Sequence, residues 1–252
     1  MNVTVLNFDS IDSTNTEALK QARLGAEEGL CVVARQQTAG RGRHGRAWVS
    51  EKDAGLYFSI VLRPKIETQY LSLLTLMSGV AVHDAMAEFG IDADIKWVND
   101  LLVREKKICG ILAETADTND GPAVVVGIGI NLKSSNFPPE IADNATSIAD
   151  ETNQKVTFEE LSAVLTRYIS YFYSTLSGED GPGRIIEEWR RRSSYFSGKR
   201  VRVVLEGESV HGITDGLESN GALRLRKDDG NLLIVQAGDV ERLRADSFEA
   251  GN

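Results

Sequence analysis

The sequence predicts an α+β fold in which a mixed β-sheet is flanked by helices and followed by a small all-β module. Three observations carry this. Up to Tyr195, apolar β-branched runs alternate with segments whose apolar residues recur at helical spacing. From Gly198 the helical period stops and short alternating strands follow, with Gly207, Gly216, Asn220-Gly221 and Asp229-Gly230 as turn signals. Five segments rich in glycine, small polar or charged residues stand at or near the ends of the predicted strands, where loops can gather around one site.

The elements follow in order. Residues 3–8 read as a strand, and Asp12-Ser13-Thr14-Asn15 offers N-cap candidates for a helix reaching residue 24. Residues 30–35 and 55–62 are β-branched apolar runs, hence strands. Residues 71–89 carry apolar residues at helical spacing, with His83 read as a helix-surface or packed histidine. Short strands are expected at 93–97, 101–103, 107–114 and 123–132. Residues 133–154, with Pro138 and Pro139, read as a long surface connection. Helices follow at 158–176 and 184–192, the second with a solvated charged face, separated by the breaker at 177–183. Strands at 199–205, 209–217, 222–226 and 231–235 would form a small barrel. The division is 1–196, 197–245 and a frayed tail at 246–252.

Composition narrows the function. The 252 residues hold 37 acidic and 28 basic side chains, for a net charge of −9, which argues against a generic polyanion-binding surface and makes any local cluster of arginine stand out. Cys31 and Cys109 provide neither a disulfide framework nor zinc spacing, and suit a reducing compartment. No leader is visible and no apolar run approaches bilayer length, so the expectation is a cytoplasmic protein with no membrane partner.

The cluster exists. Gly40-Arg41-Gly42-Arg43-His44-Gly45-Arg46-Ala47-Trp48 places three glycines and three arginines in seven positions and closes on an indole. Glycine lets backbone approach a ligand, guanidinium offers forked donors to phosphate or carboxylate, and an indole can stack on a base. A solvated basic loop or a nucleic-acid contact is the alternative. The other four segments are Asp12-Ser13-Thr14-Asn15, Lys96-Trp97-Val98-Asn99-Asp100, residues 107–114 (KICGILAE) and Gly127-Ile128-Gly129-Ile130-Asn131-Leu132. Taken singly, Asn99-Asp100 also suits a turn, and Gly127 and Gly129 also suit close packing of strand backbones.

In this order and spacing, the five segments resemble biotin protein ligases across essentially the whole chain. The resemblance implies the fold of class II aminoacyl-tRNA synthetases and biotin ligases, with an SH3-like C-terminal barrel. It implies biotin and ATP as substrates with Mg²⁺, a biotinyl-5'-AMP intermediate, and transfer to a lysine of a biotin carboxyl carrier protein. Ser13, Thr14, Asn15 and Gln37 would face the ureido ring. Gly40, Gly42, Gly110 and Leu112 would shape the pocket for the rings and valeryl chain. Arg41, Arg43 and Lys107 would gather the carboxylate and α-phosphate and carry the chemistry. Trp48 and Asn131 would hold the adenosine part, and Lys96, Asn99 and Asp100 the triphosphate, Asp100 serving as metal ligand or as base. A homodimer through the edge of the central sheet is a family habit.

The chain departs from the family pattern at Val98, where proline is common, at His44, where arginine is common, and at Cys109, where a small residue is usual. The early position of Asp12-Ser13-Thr14-Asn15 leads to the expectation that no DNA-binding domain precedes it and that DNA is not a partner. A lipoate or octanoate ligase is the competing enzyme reading. It would leave the polar group around Ser13 and Gln37 unsatisfied against an apolar head.

Overall fold

Strands that alternate with helices must have both sheet faces covered, and here the two faces are covered unequally. The computed structural model describes residues 1–134, 137–205, 207–236 and 240–245. The first seven strands are β1 (Thr4–Phe8), β2 (Leu30–Ala34), β3 (Gly55–Leu62), β4 (Asp94–Lys96), β5 (Asp100–Val103), β6 (Lys106–Ala116) and β7 (Ala123–Asn131). They form one sheet in the order β1-β2-β3-β7-β6-β5-β4. The β1–β2 pair is parallel and the remaining pairs antiparallel, giving the expected mixed sheet.

Side chains alternate across a strand, so each apolar run serves two cores. Leu56, Phe58, Ile60 and Leu62 of β3 and Val124, Val126, Ile128 and Ile130 of β7 enter the main core. That core is closed by α2 (Leu73–Ala87), α5 (Phe158–Leu176) and α6 (Gly181–Arg190). On the opposite face, Val61 and Val125 meet Ala18, Leu19 and Ala22 of α1 (Thr14–Arg23). This helix is ten residues long and covers only part of its face. Past its first turn, whose Asn15 rests on Gly127, that face is left to Gly110, Leu112 and Gly129.

Several expectations need correction. Helix α2 is buried on nearly every side, because it lies between the sheet and α5 and α6. Residues Thr68–Ala87 are long and apolar enough to cross a membrane by length and composition, contrary to the reading that no run approaches that length, yet 61% of that stretch is buried inside the protein. His83 places Nδ1 2.9 Å from Asp84 Oδ1. The segment expected as a plain connection contains α3 (Pro139–Ala142) and α4 (Ile148–Glu151) and buries Thr146, Ser147 and Ile148. The cause is pairing at Lys107, whose N–H donates to the Asn144 carbonyl at 2.8 Å and whose carbonyl accepts from Thr146 at 2.9 Å. Helix α6 starts three residues early, since Pro182 sits in its first turn, where no amide hydrogen is needed. Its charged face is not all solvated. Just beyond it Arg192 forks onto Asp84 at 2.6 and 2.9 Å.

The C-terminal strands are β8 (Ser197–Leu205), β9 (Glu208–Leu217), β10 (Leu223–Lys227), β11 (Leu232–Val235) and β12 (Val240–Ala245). They make an antiparallel sheet in the order β11-β10-β9-β8-β12, and no pairing among the described residues closes it into a barrel. The fifth strand, β12, was not expected, and the tail at 246–252 lies outside the described residues. The β9–β10 turn docks on the larger sheet's core. Trp97 Nε1 donates to the Gly221 carbonyl at 3.0 Å and Ser72 Oγ to the Asn220 carbonyl at 2.5 Å.

Candidate active site

The sequence places small residues on one face of β6 and β7, and the structure fills the space they leave. An ideal Cβ on Gly127 would lie 2.1 Å from Asn15 Oδ1, and one on Gly129 would lie 2.5 Å from Trp48 Cε2. A Cβ on Gly110 would lie 2.8 Å from the Trp48 ring and 3.1 Å from Lys107 Cε. These glycines therefore hold side chains from α1 and from the arginine loop flat on the sheet. Close packing of strand backbones is not their role.

One end of the resulting cleft is a buried polar wall. Ser13 caps α1, and Ser13, Thr14 and Asn15 are 3%, 4% and 4% exposed. Gln37 Oε1 accepts from the Thr14 amide at 2.8 Å and from its hydroxyl at 3.1 Å, while Gln37 Nε2 donates to Ser50 Oγ at 2.8 Å. Ser59, fully buried on β3, lies 2.8 Å from Thr14 Oγ1 and 2.6 Å from Asn15 Oδ1. Asn15 Nδ2 donates to the Leu112 carbonyl at 3.2 Å and to Glu114 Oε2 at 2.8 Å. Buried polar groups are costly unless paired, so this network fixes which way each amide points. Ser59 was missed in the sequence. Its signal is a lone hydroxyl inside the apolar run Gly55–Leu62, on the same face as Gly55 and Tyr57.

The arginine loop is a tight hairpin. Trp48 N–H donates to the Gly40 carbonyl at 2.9 Å, Gly42 N–H to the Arg46 carbonyl at 2.7 Å, and Arg41 bridges Ala47. His44 takes φ 52° and Gly45 φ 70°, the left-handed turn that lets the chain reverse. A Cβ at Gly40 would lie 2.4 Å from the Trp48 carbonyl, so only glycine fits the hairpin base. Arg41 forks onto Glu114 at 2.9 and 2.7 Å. Arg43 reaches Asn99 Oδ1 at 3.4 Å, and burial lowers its guanidinium pKa against the opposing pull of Asp100.

The other end of the cleft is charged. Asp100 Oδ1 lies 2.6 Å from Lys107 Nζ, and Asp100 Oδ2 lies 3.8 Å from Lys96 Nζ. Lys107 Nζ also stands 5.3 Å over the Trp48 ring, within cation–π range. Asn99 is fixed by donating Nδ2 to the Ile111 carbonyl at 2.9 Å. Behind the floor, Cys109 is fully buried and desolvation raises its thiol pKa, so it is inert packing. Val98, 5% exposed, likewise belongs to the main core.

The cleft has a volume of about 190 Å³ and is open to solvent. Ser13, Thr14, Asn15, Gln37, Arg41, Gly42, Arg43, Trp48, Lys96, Asn99, Asp100, Lys107, Gly110 and Leu112 all line it. Gly40 lies beneath it as the hairpin base. Asn131 lines an adjoining cavity with Trp48, Lys96, Asp100 and Lys107, and donates to the Thr146 carbonyl at 3.0 Å. Among the described residues no group of three or more His, Cys, Asp or Glu side chains could hold a metal. A divalent ion here would rest on Asp100 and on phosphate oxygens, which is the donor set that suits Mg²⁺.

Comparison with known proteins agrees with this geometry. Residues 7–131 match the Biotin/lipoate A/B protein ligase family, and residues 196–243 match the biotin protein ligase C terminal domain. The chain is 44% identical over 240 residues to the Bifunctional ligase/repressor BirA of Bacillus spizizenii, covering 92% of this chain and 72% of that protein. It is 36% identical to the Biotin--[acetyl-CoA-carboxylase] ligase of Paracoccus denitrificans, covering 90% of this chain and 95% of that one. The biotin protein ligase from Aquifex aeolicus, solved in complex with biotin and ATP, superposes with a TM-score of 0.84 at 29% identity, covering 96% and 99% of the two chains. With its two matched regions, its cleft and these relatives, the chain is a member of the biotin protein ligase family.

Proposed function

We propose that the cleft joins biotin to ATP, giving biotinyl-5'-AMP and pyrophosphate, and then passes the biotinyl group to a lysine of a biotin carboxyl carrier protein. The chain is an ATP-dependent biotin protein ligase, and the acceptor follows from relatives named for acetyl-CoA-carboxylase. The observation that carries the assignment of roles is one cleft with a neutral hydrogen-bonding wall at one end and fixed cations around Asp100 at the other. A ureido ring needs such a wall, and an apolar dithiolane or fatty head would leave it unpaired.

In the first half-reaction a biotin carboxylate oxygen attacks the α-phosphorus of ATP and the bond to pyrophosphate breaks. Two anions must approach, so Lys107 and Arg43 offset their repulsion and stabilise the charge that develops. Lys107 is already held at Asp100, 2.6 Å away, and need only turn its remaining donors to phosphate. Asp100, with Lys96 and Asn99 beside it, is the residue that would hold Mg²⁺, which would supply Lewis-acid charge for the departing pyrophosphate. Trp48 offers its indole, with Asn131 close by, to the adenosine part. Arg41 uses one N–H of each terminal nitrogen on Glu114 and turns its remaining donors to the ligand. In the second half-reaction a neutral acceptor lysine attacks the acyl carbon and AMP leaves. The arginine hairpin shields the mixed anhydride from water until then.

We assign residues 1–196 to the catalytic part and 197–245 to a C-terminal module. The two free, buried thiols support a reducing compartment, the cytoplasm. Among the described residues the strand β1 has a neighbour on one side only, and Val3 and Val5 are 40% and 45% exposed, which supports a homodimer through that edge. ATP–pyrophosphate exchange tests the activity. Exchange that needs biotin is expected, and exchange with lipoate in place of biotin overturns the reading.

A further inference from the structure

The ring wall and the arginine hairpin meet at a single carboxylate. Side chains alternate along β6, so Gly110, Leu112 and Glu114 point to the cleft face while Ile108, Cys109 and Ile111 contribute to the main core, a bulge near Cys109 accounting for the adjacent pair. Glu114 Oε1 accepts from Arg41 at 2.9 Å. Its Oε2 accepts from both Arg41, at 2.7 Å, and Asn15 Nδ2, at 2.8 Å. Asn15 is 4% exposed and pinned from the other side by Ser59, whereas the side chains of Arg41 and Glu114 are 42% and 25% exposed. A buried neutral amide and a half-exposed cation thus share one oxygen.

Building on the ligase reading above, we infer that Glu114 is a positioning residue that couples ring recognition by Asn15 to closure of the Arg41 hairpin over the adenylate. With its donors directed to Glu114 and Leu112, the Asn15 amide keeps Oδ1 toward Ser59, the orientation in which the wall is preset. The same carboxylate gathers Arg41 above the cleft without ligand, so the loop does not have to be ordered from scratch when anions arrive. A bidentate guanidinium–carboxylate pair also fixes direction, which a single contact would not. Glu114 touches no reacting atom in this scheme. It acts through Asn15, which faces the ring, and through Arg41, which faces the adenylate.

Glu114→Gln separates the two halves of the role. Its amide oxygen can still accept from Asn15, while the charge that forks Arg41 is gone. We expect the release rate of biotinyl-5'-AMP, followed by stopped-flow tryptophan fluorescence, to rise about tenfold, the effect of roughly 1.4 kcal/mol, while the biotin KM rises less than about threefold. Glu114→Ala, which removes both acceptors, should raise both quantities. Arg41→Met closes a double-mutant cycle with Glu114→Gln, and the double variant should release the adenylate no faster than the worse single variant. Additive effects, or an unchanged release rate in Glu114→Gln with an unchanged melting temperature, overturn the inference. Wild-type exchange activity with biotin is the internal control. Its absence sinks the ligase reading, whereas its presence with an indifferent Glu114→Gln sinks only the coupling role.

Discussion

The two ends of the cleft solve opposite problems. At the ring end, Thr14, Asn15, Gln37 and Ser59 are neutral, mostly buried and paired to one another, so the cost of desolvating them is met on folding. At the anion end, Lys96, Asp100 and Lys107 are charged and partly exposed, with side-chain accessibilities of 18%, 18% and 34%. In the proposed reading the first end recognises by fixed direction. The second balances charge and keeps solvent contact so that its partners can be exchanged for phosphate. The glycines divide the same way, Gly127 seating Asn15 and Gly129 seating Trp48.

The largest effect should come from the charged end. Lys107→Met is expected to slow biotin-dependent ATP–pyrophosphate exchange by about 10²–10³-fold, in line with loss of one well-placed donor to a developing anion. A drop below about tenfold would mean that Arg43 alone carries the anion end. The comparison sharpens with two matched substitutions. Gly127→Ala brings a Cβ to 2.1 Å from Asn15 Oδ1 and should raise the biotin KM by about tenfold or more while moving the ATP KM far less. Gly129→Ala, 2.5 Å from the Trp48 ring, should do the reverse, and equal effects from both would erase the division. The smallest effect is ionic. Raising salt should weaken binding of biotin a few-fold and leave binding of its neutral alcohol unchanged by calorimetry, because only the carboxylate meets screened charges.

Much of this was legible because the chemistry needs rare residue types at fixed spacing. Arg41, Arg43, Arg46 and Trp48 stand out in an acidic chain, and each lines the cleft. Ser59 was not legible, since one serine in a β-strand gives no hint of what crosses its face. Glu114 was visible at the end of the segment from Lys107, but the Arg41 that forks onto it lies 73 residues away. Helix α2 was legible as a helix and not as a core element, because burial on all sides depends on α5 and α6. The strand Val240–Ala245 was missed because its apolar content is low and its place is set by pairing with β8.

The sequence by itself determined the α+β class, most of the strands and helices in order, and five segments that the structure gathers around one cleft, because periodicity, turn residues and charge are local properties. Only the tertiary structure decided that α1 covers part of one sheet face and leaves the glycines of β6 and β7 open to a cleft. It also decided that Arg41 faces Glu114, that Asn131 braces the Lys107 strand, and that the C-terminal strands form an open five-stranded sheet among the described residues. Those outcomes follow from which side chains meet across long sequence separations, and no single segment contains that information.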